Sequence, residues 1–394
     1  FTFDLKERVW TLQLIYTSEY EDLPKGVRKV LYMHWPLLFL VVVISCFGFL
    51  MLYSVAEGDF EKWARPQMER FFVGFILMII ISFVHIDFWR FCSPFIFLFG
   101  IVLLIVVLFF GDYGGGAKRW LELGSLRFQP SELNKVGLVM ALAIYYDWLT
   151  PAKVSNIFWV FIPVLMILVP TALVIPQPDL GTGTLIAFIG LTIMFAAGVH
   201  YMYFLGGLLI LPGLLALVFY SRGTSWQLVN DYQFGRIDTF LNPGNDPLGD
   251  GYQITQSKIA LGSGGLEGRG FMQGSQSQLD FLPYKHTDFI FTTIAEEFGF
   301  FGSVGLLLMY SVIITFCIIS AMTNKNKFGS LLTIGLATMF FTYFFVNISA
   351  VTGMAPVTGV PLPLISYGGS AMLVVLGTFG LIQSAHIHRL LKKD

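Results

Sequence analysis

Residues 35–55 read WPLLFLVVVISCFGFLMLYSV, a run without a single charged side chain. At a rise of about 1.5 Å per residue, a helix of this length is roughly 30 Å long, which matches the hydrocarbon core of a bilayer. The run therefore predicts a membrane-spanning helix. Similar runs recur along the chain, and their number and spacing decide the fold.

The composition of the whole chain agrees with this prediction. Of the 394 residues, 55% are hydrophobic and only 12% are charged, whereas about a quarter of the residues of an average soluble domain are charged. The 24 basic and 25 acidic residues nearly cancel and form no long basic run, which argues against a nucleic-acid partner. We predict an all-α polytopic integral membrane protein.

Ten apolar runs are long enough to cross a bilayer, so we predict about ten transmembrane helices. They lie near residues 35–55, 69–87, 94–111, 130–148, 157–176, 182–199, 201–221, 288–322, 328–354 and 366–388. We predict a single membrane domain over residues 35–388, in which residues 222–287 form a large loop between helices 7 and 8. Residues 1–34 and 389–394 are expected to be a cytoplasmic lead-in and a cytoplasmic tail.

The positions of lysine and arginine predict the orientation in the membrane. Twelve lie at the termini or in connections on the same side, namely Lys6, Arg8, Lys25, Arg28, Lys29, Arg90, Lys153, Lys325, Lys327, Arg389, Lys392 and Lys393. Six lie in short connections on the opposite side, namely Lys62, Arg65, Arg70, Lys118, Arg119 and Arg127. Because basic residues concentrate in cytoplasmic loops, both termini are predicted to be cytoplasmic and the large loop extracytoplasmic.

Several classes of site are excluded by the sequence. Cys46, Cys92 and Cys317 lie in or next to apolar runs, so neither a disulfide framework nor a cysteine-based metal site is expected. The chain opens with a mixed-charge segment, and no secretory signal peptide is visible. Neither Rossmann nor Walker glycine spacing occurs in a strand-to-helix context, which leaves a nucleotide-driven pump without support.

The segment RFQPSELNK places an acid and a base at the start of the fourth predicted span. Pro130 suits the first turn of a helix, and Glu132 and Lys135 lie three residues apart, where an ion pair can form. In one interpretation, Glu132 caps the start of the helix, where the helix dipole favours a negative charge, and the Lys135 side chain extends outward to the membrane surface. The other is that Lys135 contributes to a positive pocket for an anionic headgroup or pyrophosphate. That pocket would also contain Lys118, Arg119 and Arg127.

The longest polar stretch, residues 242–291, is where we expect a catalytic carboxylate, since long ordered loops in such chains are commonly functional. Asp246 precedes Pro247, and Gly249 follows, as a type I turn requires, so turn formation alone also explains Asp246. Asp250 similarly forms half of an Asp-Gly turn. The following GSGGLEGRGF is either a flexible linker or a set of backbone nests for phosphate oxygens, with Arg269 as an added charge.

Three further polar segments lie on the same predicted side. In LPYKHTDFIF, Thr287 or Asp288 can cap the eighth span, and His286 is either a hydrogen-bonded surface residue or a site residue. Glu296 follows within that span, where a charge is costly unless it faces a polar cavity. The segments QPDLGTG (177–183) and PLPLISYGGS (361–370) either break helices or line an outward cavity.

These motifs occur in an order that resembles the SEDS family of bacterial cell-wall proteins, in its elongation branch, RodA, more than its division branch, FtsW. The resemblance covers roughly residues 35–390. It rests on WxxxGxxRFQPSELNK (120–135), QPDLGTG, NDPLGDGYQITQS, GSGGLEGRGFMQGSQSQLDFLPYKHTDFIF, EEFGFFG and PLPLISYGGS. One departure is Asp250, where the family usually has a small residue.

The resemblance implies a peptidoglycan glycosyltransferase that polymerises lipid II by an inverting displacement of undecaprenyl pyrophosphate. Asp246 matches the family's essential aspartate and would be the general base. Arg119, Lys135 and Arg269, or a divalent cation such as Mg²⁺ or Mn²⁺, would stabilise the pyrophosphate, although no dedicated metal-ligand cluster is visible. Other motif positions expected to bind substrate or orient the site are Glu132, Gln253, Lys258, Ser263, His286, Asp288 and Ser366.

The resemblance also implies partners and a location. We expect the bacterial cytoplasmic (inner) membrane, a class B penicillin-binding transpeptidase, other elongation-complex proteins, the lipid-linked glycan strand and membrane lipids as partners. The alternative function is a lipid II flippase or scramblase. Such a transporter is expected to have polar residues through the full depth of its membrane spans. A purely structural scaffold is a third interpretation, and it would tolerate Asp246→Ala.

Overall fold

The computed structural model describes residues 26–114, 117–123, 126–177, 179–246, 249–278 and 282–389. Its helices are α1 (Trp35–Val55), α2 (Arg65–Phe83), α3 (Ile86–Phe110), α4 (Pro130–Trp148), α5 (Ile157–Val174), α6 (Leu180–Ala196), α7 (Tyr201–Tyr220), α8 (Asp231–Leu241), α9 (Asp250–Ser263), α10 (Ser275–Gln278), α11 (Ile290–Thr323), α12 (Lys327–Val351) and α13 (Gly369–Ile387). Short 3₁₀ turns cover Gly26–Tyr32, Pro151–Lys153 and Pro243–Asn245, and a π-helical turn, Phe60–Ala64, precedes α2.

Eight of the described helices are long and apolar enough to cross a bilayer, which confirms a polytopic helical membrane protein. α4 and α6 lie at two further predicted spans. However, α4 contains Glu132, Lys135 and Asp147, and α6 has only 17 residues. The count of ten therefore remains a prediction.

One predicted helix start and one predicted helix cap are wrong. α3 begins at Ile86 rather than near residue 94, because Pro94 lies inside the helix and does not begin it. The imidazole of His85 accepts a hydrogen bond from the Asp87 N–H at 3.3 Å, which caps this earlier start. α11 begins after Phe289 without a side-chain cap. Neither Thr287 nor Asp288 therefore caps it.

The most buried helices, α4, α12 and α13, form the centre of the bundle, with α2 along α13 and α3 along α4. Glycines set the closest crossings. A Cβ at Gly137 would lie 3.0 Å from Phe97 Cα, and one at Gly335 would lie 2.6 Å from Val139 Cγ1. Small residues at such contacts allow helix backbones to approach closely in a bilayer.

A three-stranded antiparallel sheet, which is absent from the predicted all-α fold, connects α3 to α4. β1 (Asp112–Gly114) pairs with β2 (Ala117–Leu123), and β2 pairs with β3 (Leu126–Phe128). The sequence between the strands is Gly115-Gly116 and Gly124-Ser125, and both dipeptides are typical of two-residue hairpin loops.

The predicted large loop, residues 222–287, also contains more structure than expected, because α8, α9 and α10 lie within it. Its glycine-rich part pairs with a kink in α11, where Gly299 has φ 65° and ψ −160°. Arg269 N–H donates to Glu296 O at 2.9 Å, and Phe300 N–H donates to Gly265 O at 2.9 Å. Within the segment, the N–H groups of Gly268, Arg269 and Gly270 all donate to backbone oxygens of the protein, so they do not form the expected phosphate nest. The same bonds hold the segment against α11, so the alternative of a flexible linker is also wrong.

Candidate active site

A cavity of about 450 Å³ lies at the end of the bundle where α4, α11 and α13 begin. It is lined by polar side chains and by glycine-rich backbone from separate parts of the sequence. The polar lining comprises Arg119, Trp120, Gln129, Glu132, Tyr232, Arg236, Gln253, Tyr284, Thr287, Asp288, Tyr367 and Ser370. The volume lies in the range of small-molecule sites.

Arg119 reaches this cavity from β2, and the QPDLGTG segment holds it in place. Its Nε donates to the backbone oxygen of Gln177 at 3.2 Å and lies 3.8 Å from Asp179 Oδ2. Asp179 also accepts the Thr182 N–H at 3.1 Å and so caps α6. The side chain of Arg119 is only 14% exposed. The guanidinium is therefore a fixed positive charge in the cavity wall.

Glu132 and Lys135 form a buried ion pair, as their spacing predicted. Lys135 Nζ donates to Glu132 Oε1 at 2.7 Å, and the Tyr343 hydroxyl donates to Glu132 Oε2. Lys135 Nζ also lies 4.4 Å from the centre of the Tyr343 ring. Glu132 lines the cavity, whereas Lys135 does not. The lysine charge thus stabilises its neighbour rather than adding to the cavity lining.

Asp288 lies at the cavity, on the turn that leads into α11. Its backbone oxygen accepts Asn347 Nδ2–H at 2.8 Å, which fixes this turn against α12. Burial raises the pKa of the Asp288 carboxyl to about 6, while the positive charges of Arg236 and Arg119 oppose the rise. The carboxyl can therefore change its charge near neutral pH.

Asp246 lies in the connection between α8 and α9, at the end of the 3₁₀ turn Pro243–Asn245. Its Oδ1 accepts the Gly249 N–H at 3.0 Å, which is the contact expected of a turn-forming aspartate. The side chain is half-buried and is not part of the cavity lining. Pro247, and with it the predicted type I turn, and the side chain of Asp250 lie outside the described part of the structure.

Two other predicted residues lie close to the cavity without lining it. The Ser366 hydroxyl donates to Thr287 O at 2.6 Å and accepts the Leu362 N–H at 2.8 Å, so it joins the PLPLISYGGS segment to the turn before α11. The His286 ring stacks on Trp63 at 4.0 Å. Burial lowers the pKa of His286, as do the charges of Lys62 and Lys285.

Three predicted residues lie away from the cavity. Lys258 is exposed and lies against Gly353, beyond the end of α12. Ser263 is the last residue of α9, roughly 20 Å along the helix axis from its first residue. Arg269 is exposed, and its Nε donates to the Ser263 backbone at 3.3 Å. These three residues therefore do not join the others, while Gln253, at the start of α9, does line the cavity. The side chain of Lys118 is not described.

Two residues that were not predicted, Tyr232 and Arg236, line the cavity one helical turn apart on α8. Arg236 Nη2 donates to the Tyr232 hydroxyl at 2.5 Å. The signal for this helix was present, because Asn230 and Gln233 have the spacing of a capping box. Gln233 Oε1 accepts the Asn230 N–H at 3.2 Å. The polar composition of residues 222–241 favours a loop, whereas this spacing favours a helix start.

The chemistry of the cavity combines two fixed cations with an ionisable acid. Arg119 and Arg236 suit planar, bidentate contacts to phosphate oxygens. Asp246 lies on the connection between α8 and α9, and both helices contribute side chains to the cavity, although Asp246 itself does not line it. Such an arrangement can bind an anionic substrate and supply a carboxylate to a neighbouring hydroxyl.

Comparison with known families places these residues in context. The profile of the cell cycle protein family labelled FtsW, RodA and SpoVE matches residues 29–391. The peptidoglycan glycosyltransferase MrdB of Escherichia coli (strain K12) is 37% identical over 354 residues, which are 90% of this chain and 93% of that protein. The family match over residues 29–391 includes every residue that lines the cavity.

Solved structures agree with the fold. A chain in a peptidoglycan synthase complex that coordinates polymerization and crosslinking superposes with a TM-score of 0.75 at 30% identity, covering 90% of this chain and 97% of that one. The crystal structure of the Thermus thermophilus rod shape determining protein RodA gives a TM-score of 0.68 at 28% identity, covering 91% of this chain and 97% of that one. Both similarities extend over nearly the whole membrane domain.

Proposed function

The chain belongs to the FtsW, RodA and SpoVE family of cell cycle proteins and is a peptidoglycan glycosyltransferase; we propose that it polymerises lipid II in cell elongation, with Asp246 as the general base. The observation that carries this role is the position of Asp246. It lies on the short connection between α8 and α9, and these helices bring Arg236 and Gln253 to the cavity.

In the proposed reaction, the 4-hydroxyl of an N-acetylglucosamine attacks C1 of the N-acetylmuramic acid in the donor. The new C1–O4 bond forms as the C1–O bond to undecaprenyl pyrophosphate breaks, and the pyrophosphate leaves with the bonding electrons. Asp246 accepts the hydroxyl proton. Because the donor linkage is α and the product linkage is β, one displacement with inversion is sufficient, and no covalent enzyme intermediate is needed.

The hydrogen bond from Gly249 N–H to Asp246 Oδ1 suits this role. It fixes the carboxylate while leaving most of its lone pairs for other donors, since an ionised carboxylate offers about four acceptor sites. An incoming sugar hydroxyl can therefore donate to Asp246 without displacing the contact that orients it.

A divalent cation such as Mg²⁺ or Mn²⁺ remains a candidate cofactor. Among the described residues, no three carboxylate, histidine or cysteine side chains lie close enough to form a metal site. The carboxylates at the cavity are Glu132 and Asp288, and Glu132 is already paired with Lys135. A bound cation would therefore take most of its ligands from the pyrophosphate and from water.

We also propose the location and the partners. The protein lies in the bacterial cytoplasmic membrane with both termini cytoplasmic, so that the cavity opens at the outer face, where the basic connections are fewest. Its proposed partner is a class B penicillin-binding transpeptidase, in keeping with the synthase complex that contains a similar chain. Other elongation proteins are expected in the same assembly.

The test is polymerisation of labelled lipid II by the purified protein together with its transpeptidase. Asp246→Asn keeps a side-chain oxygen for the Gly249 N–H but removes the base, so we expect at least a 100-fold loss of glycan strands. Asp231→Asn is the matched control, because Asp231 is exposed at the start of α8. Its activity should equal that of the unmodified protein.

Two results would contradict the proposal. Full activity of Asp246→Asn would exclude Asp246 as the base. An absence of strands from a folded, unmodified complex that does move lipid II across liposome membranes would instead favour a flippase.

A further inference from the structure

A second cavity, of about 480 Å³, lies between α3, α4 and α5. The cavity of the candidate active site contains Glu132, in the first turn of α4, whereas this one contains Trp148, the last residue of α4. The 19 residues of α4 extend over roughly 28 Å, close to the thickness of the hydrocarbon core. This α3–α5 groove therefore lies in the leaflet opposite to the candidate active site.

The wall that α4 contributes to the groove is mostly apolar. Ala141, Ile144, Tyr145 and Trp148 line the groove at the spacing of one helix face. The Tyr145 hydroxyl donates to the backbone oxygen of Trp159 at 2.6 Å, so this polar group is already used. Trp148 is 68% exposed. The groove is therefore open to the surrounding lipid.

The groove begins next to a close crossing of α3 and α4. A Cβ at Gly137 would lie 3.0 Å from Phe97 Cα, so the two helix backbones are in contact there. Phe97 and Leu98 line the groove from α3, and Leu98 is 59% exposed. An apolar chain can therefore lie between the two helices, from this crossing to the membrane surface near Trp148.

Among the described residues that line the groove, Arg90 alone carries a charge. Its Nη2 lies 2.6 Å from Asp147 Oδ2, and its side chain is 44% exposed. A guanidinium has five N–H donors, so this contact leaves others for phosphate oxygens. Asp87, a second carboxylate at this end of α3, lies 3.3 Å from His85 Nδ1. Arg90 therefore offers an accessible cation at the end of the groove.

Two lysines add positive charge at the same end of α4. Lys153 is exposed in the 3₁₀ turn that follows α4. Lys327 Nζ donates to the backbone oxygen of Leu149 at 3.4 Å, just past the end of the helix. These lysines and Arg90 outnumber the carboxylate of Asp147. Basic pockets between membrane helices commonly bind anionic lipid headgroups.

We propose that the α3–α5 groove binds an anionic phospholipid of the leaflet opposite to the candidate active site. One acyl chain lies along Leu98 and Ala141, and the phosphate accepts hydrogen bonds from Arg90. The bilayer supplies a ligand of this chemistry, with an apolar chain and a phosphate, at the depth of the groove. The bound lipid fills the space between α3 and α4, and its binding does not depend on the proposed polymerisation of lipid II.

The experiment titrates the full-length protein in detergent with palmitoyl-oleoyl phosphatidylglycerol and measures bound lipid by native mass spectrometry. We expect Arg90→Gln to weaken binding about 3- to 10-fold, since a partly exposed cation contributes less than a buried one. Arg28→Gln is the matched control, because Arg28 is an exposed arginine that does not line the groove. Its affinity should equal that of the unmodified protein.

Asp147→Asn distinguishes a headgroup site from a purely structural ion pair. This variant removes the negative charge that competes for Arg90, so affinity for phosphatidylglycerol should rise about threefold. A purely structural pair would instead weaken binding in both variants, because each loses the same contact. Weaker or unchanged binding by Asp147→Asn would overturn the headgroup contact, as would full affinity of Arg90→Gln.

The acyl chain is tested with Leu98→Trp, which fills the groove from its exposed side. We expect binding to weaken at least about threefold, because the chain loses its packing surface. Ile105→Trp is the control, since Ile105 is 41% exposed on α3 and does not line the groove. Unchanged binding by Leu98→Trp would overturn the position of the chain.

Two competing lipids test the class of ligand. Phosphatidylcholine with the same chains should bind more weakly than phosphatidylglycerol, and equal affinity would overturn the preference for an anionic headgroup. Undecaprenyl phosphate combines a phosphate with a polyprenyl chain and should also bind more weakly. Tighter binding of undecaprenyl phosphate that is lost in Leu98→Trp would show a polyprenyl site and would overturn the phospholipid assignment.

Discussion

Lys135 Nζ donates a hydrogen bond to Glu132 Oε1 at 2.7 Å, three residues earlier on α4, and both side chains are buried. Removing one partner of a buried ion pair leaves the other charge without compensation and costs about 3–5 kcal/mol. We expect Lys135→Met to lower the midpoint of thermal unfolding markedly. The double variant Glu132→Gln/Lys135→Met should be more stable than Lys135→Met, because it leaves no unpaired charge. Equal midpoints for the single and double variants would contradict this account.

Gly251 is predicted to be essential for the position of Asp246. A Cβ at Gly251 would overlap the backbone oxygens of Pro243 and Asp246, so a side chain must displace the turn that holds the carboxylate. We expect Gly251→Ala to reduce lipid II polymerisation at least tenfold, since small displacements of a catalytic group are costly.

The control for this variant is Gly262→Ala, in the same helix, where a Cβ would have no heavy atom within 4 Å. Replacing an exposed helical glycine with alanine usually stabilises by up to about 1 kcal/mol, so Gly262→Ala should remain active. A normal rate for Gly251→Ala would show that the position of this turn does not limit the reaction.

The sequence predicted the membrane helices because their signal is local. The length of an apolar run such as residues 35–55 can be read directly from the sequence, and α1 covers these same residues. The Glu132–Lys135 pair and the contact between Asp246 and Gly249 were also foreseeable, since they join residues three positions apart. Interactions within one turn can be predicted because they depend only on the spacing of residues in the sequence.

The cavity could not be predicted in the same way. Arg119 and Arg236 are more than one hundred residues apart, and only the packing of the sheet and α8 beside the start of α13 brings them to one space. The apolar sequence of a span does not show which other helices it packs against. The strand pairing and the capping box could be predicted from the sequence, but their role in the cavity depends on this tertiary arrangement.

The glycine-rich segment shows a further limit of sequence analysis. GSGGLEGRGF suggested a nest or a linker, yet its backbone pairs with the kink of α11. A Cβ at Gly299 would overlap the backbone at Gly268, and the positive φ of Gly299 also disfavours other residues. The partner of the segment is thus a break inside a distant helix, which composition does not reveal.

This pairing predicts the effect of Gly299→Ala. The added methyl group would overlap the backbone at Gly268 and strain a left-handed residue, and we expect a destabilisation of more than about 2 kcal/mol. Thermal unfolding in detergent measures this change. Gly305→Ala, in the same helix and with no heavy atom near its Cβ, is the control and should match the unmodified protein. Equal stability of both variants would mean that the segment contributes little to the fold.

We predict that Asp288, the ionisable acid in the cavity, makes the binding of pyrophosphate depend on pH. Burial raises the pKa of Asp288 to about 6, against the opposing charges of Arg236 and Arg119. Below that pH the carboxyl is neutral. Above it, the carboxylate repels a diphosphate and offsets part of the positive charge of the arginines. Compared with a variant that stays neutral at residue 288, the unmodified protein should therefore bind pyrophosphate progressively less well as the pH rises from about 5 to 8.

Asp288→Asn tests this prediction, because asparagine resembles the neutral acid at every pH. Pyrophosphate itself titrates in this range, so the informative quantity is the ratio of the affinities of the variant and the unmodified protein. We expect this ratio to be near one at pH 5 and to reach about tenfold at pH 8. The other titratable groups of the cavity, Glu132, Tyr232, Tyr284 and Tyr367, are common to both proteins and cancel. A ratio that stays constant with pH would show that Asp288 does not face the bound diphosphate, whereas Asp231→Asn should follow the unmodified protein throughout.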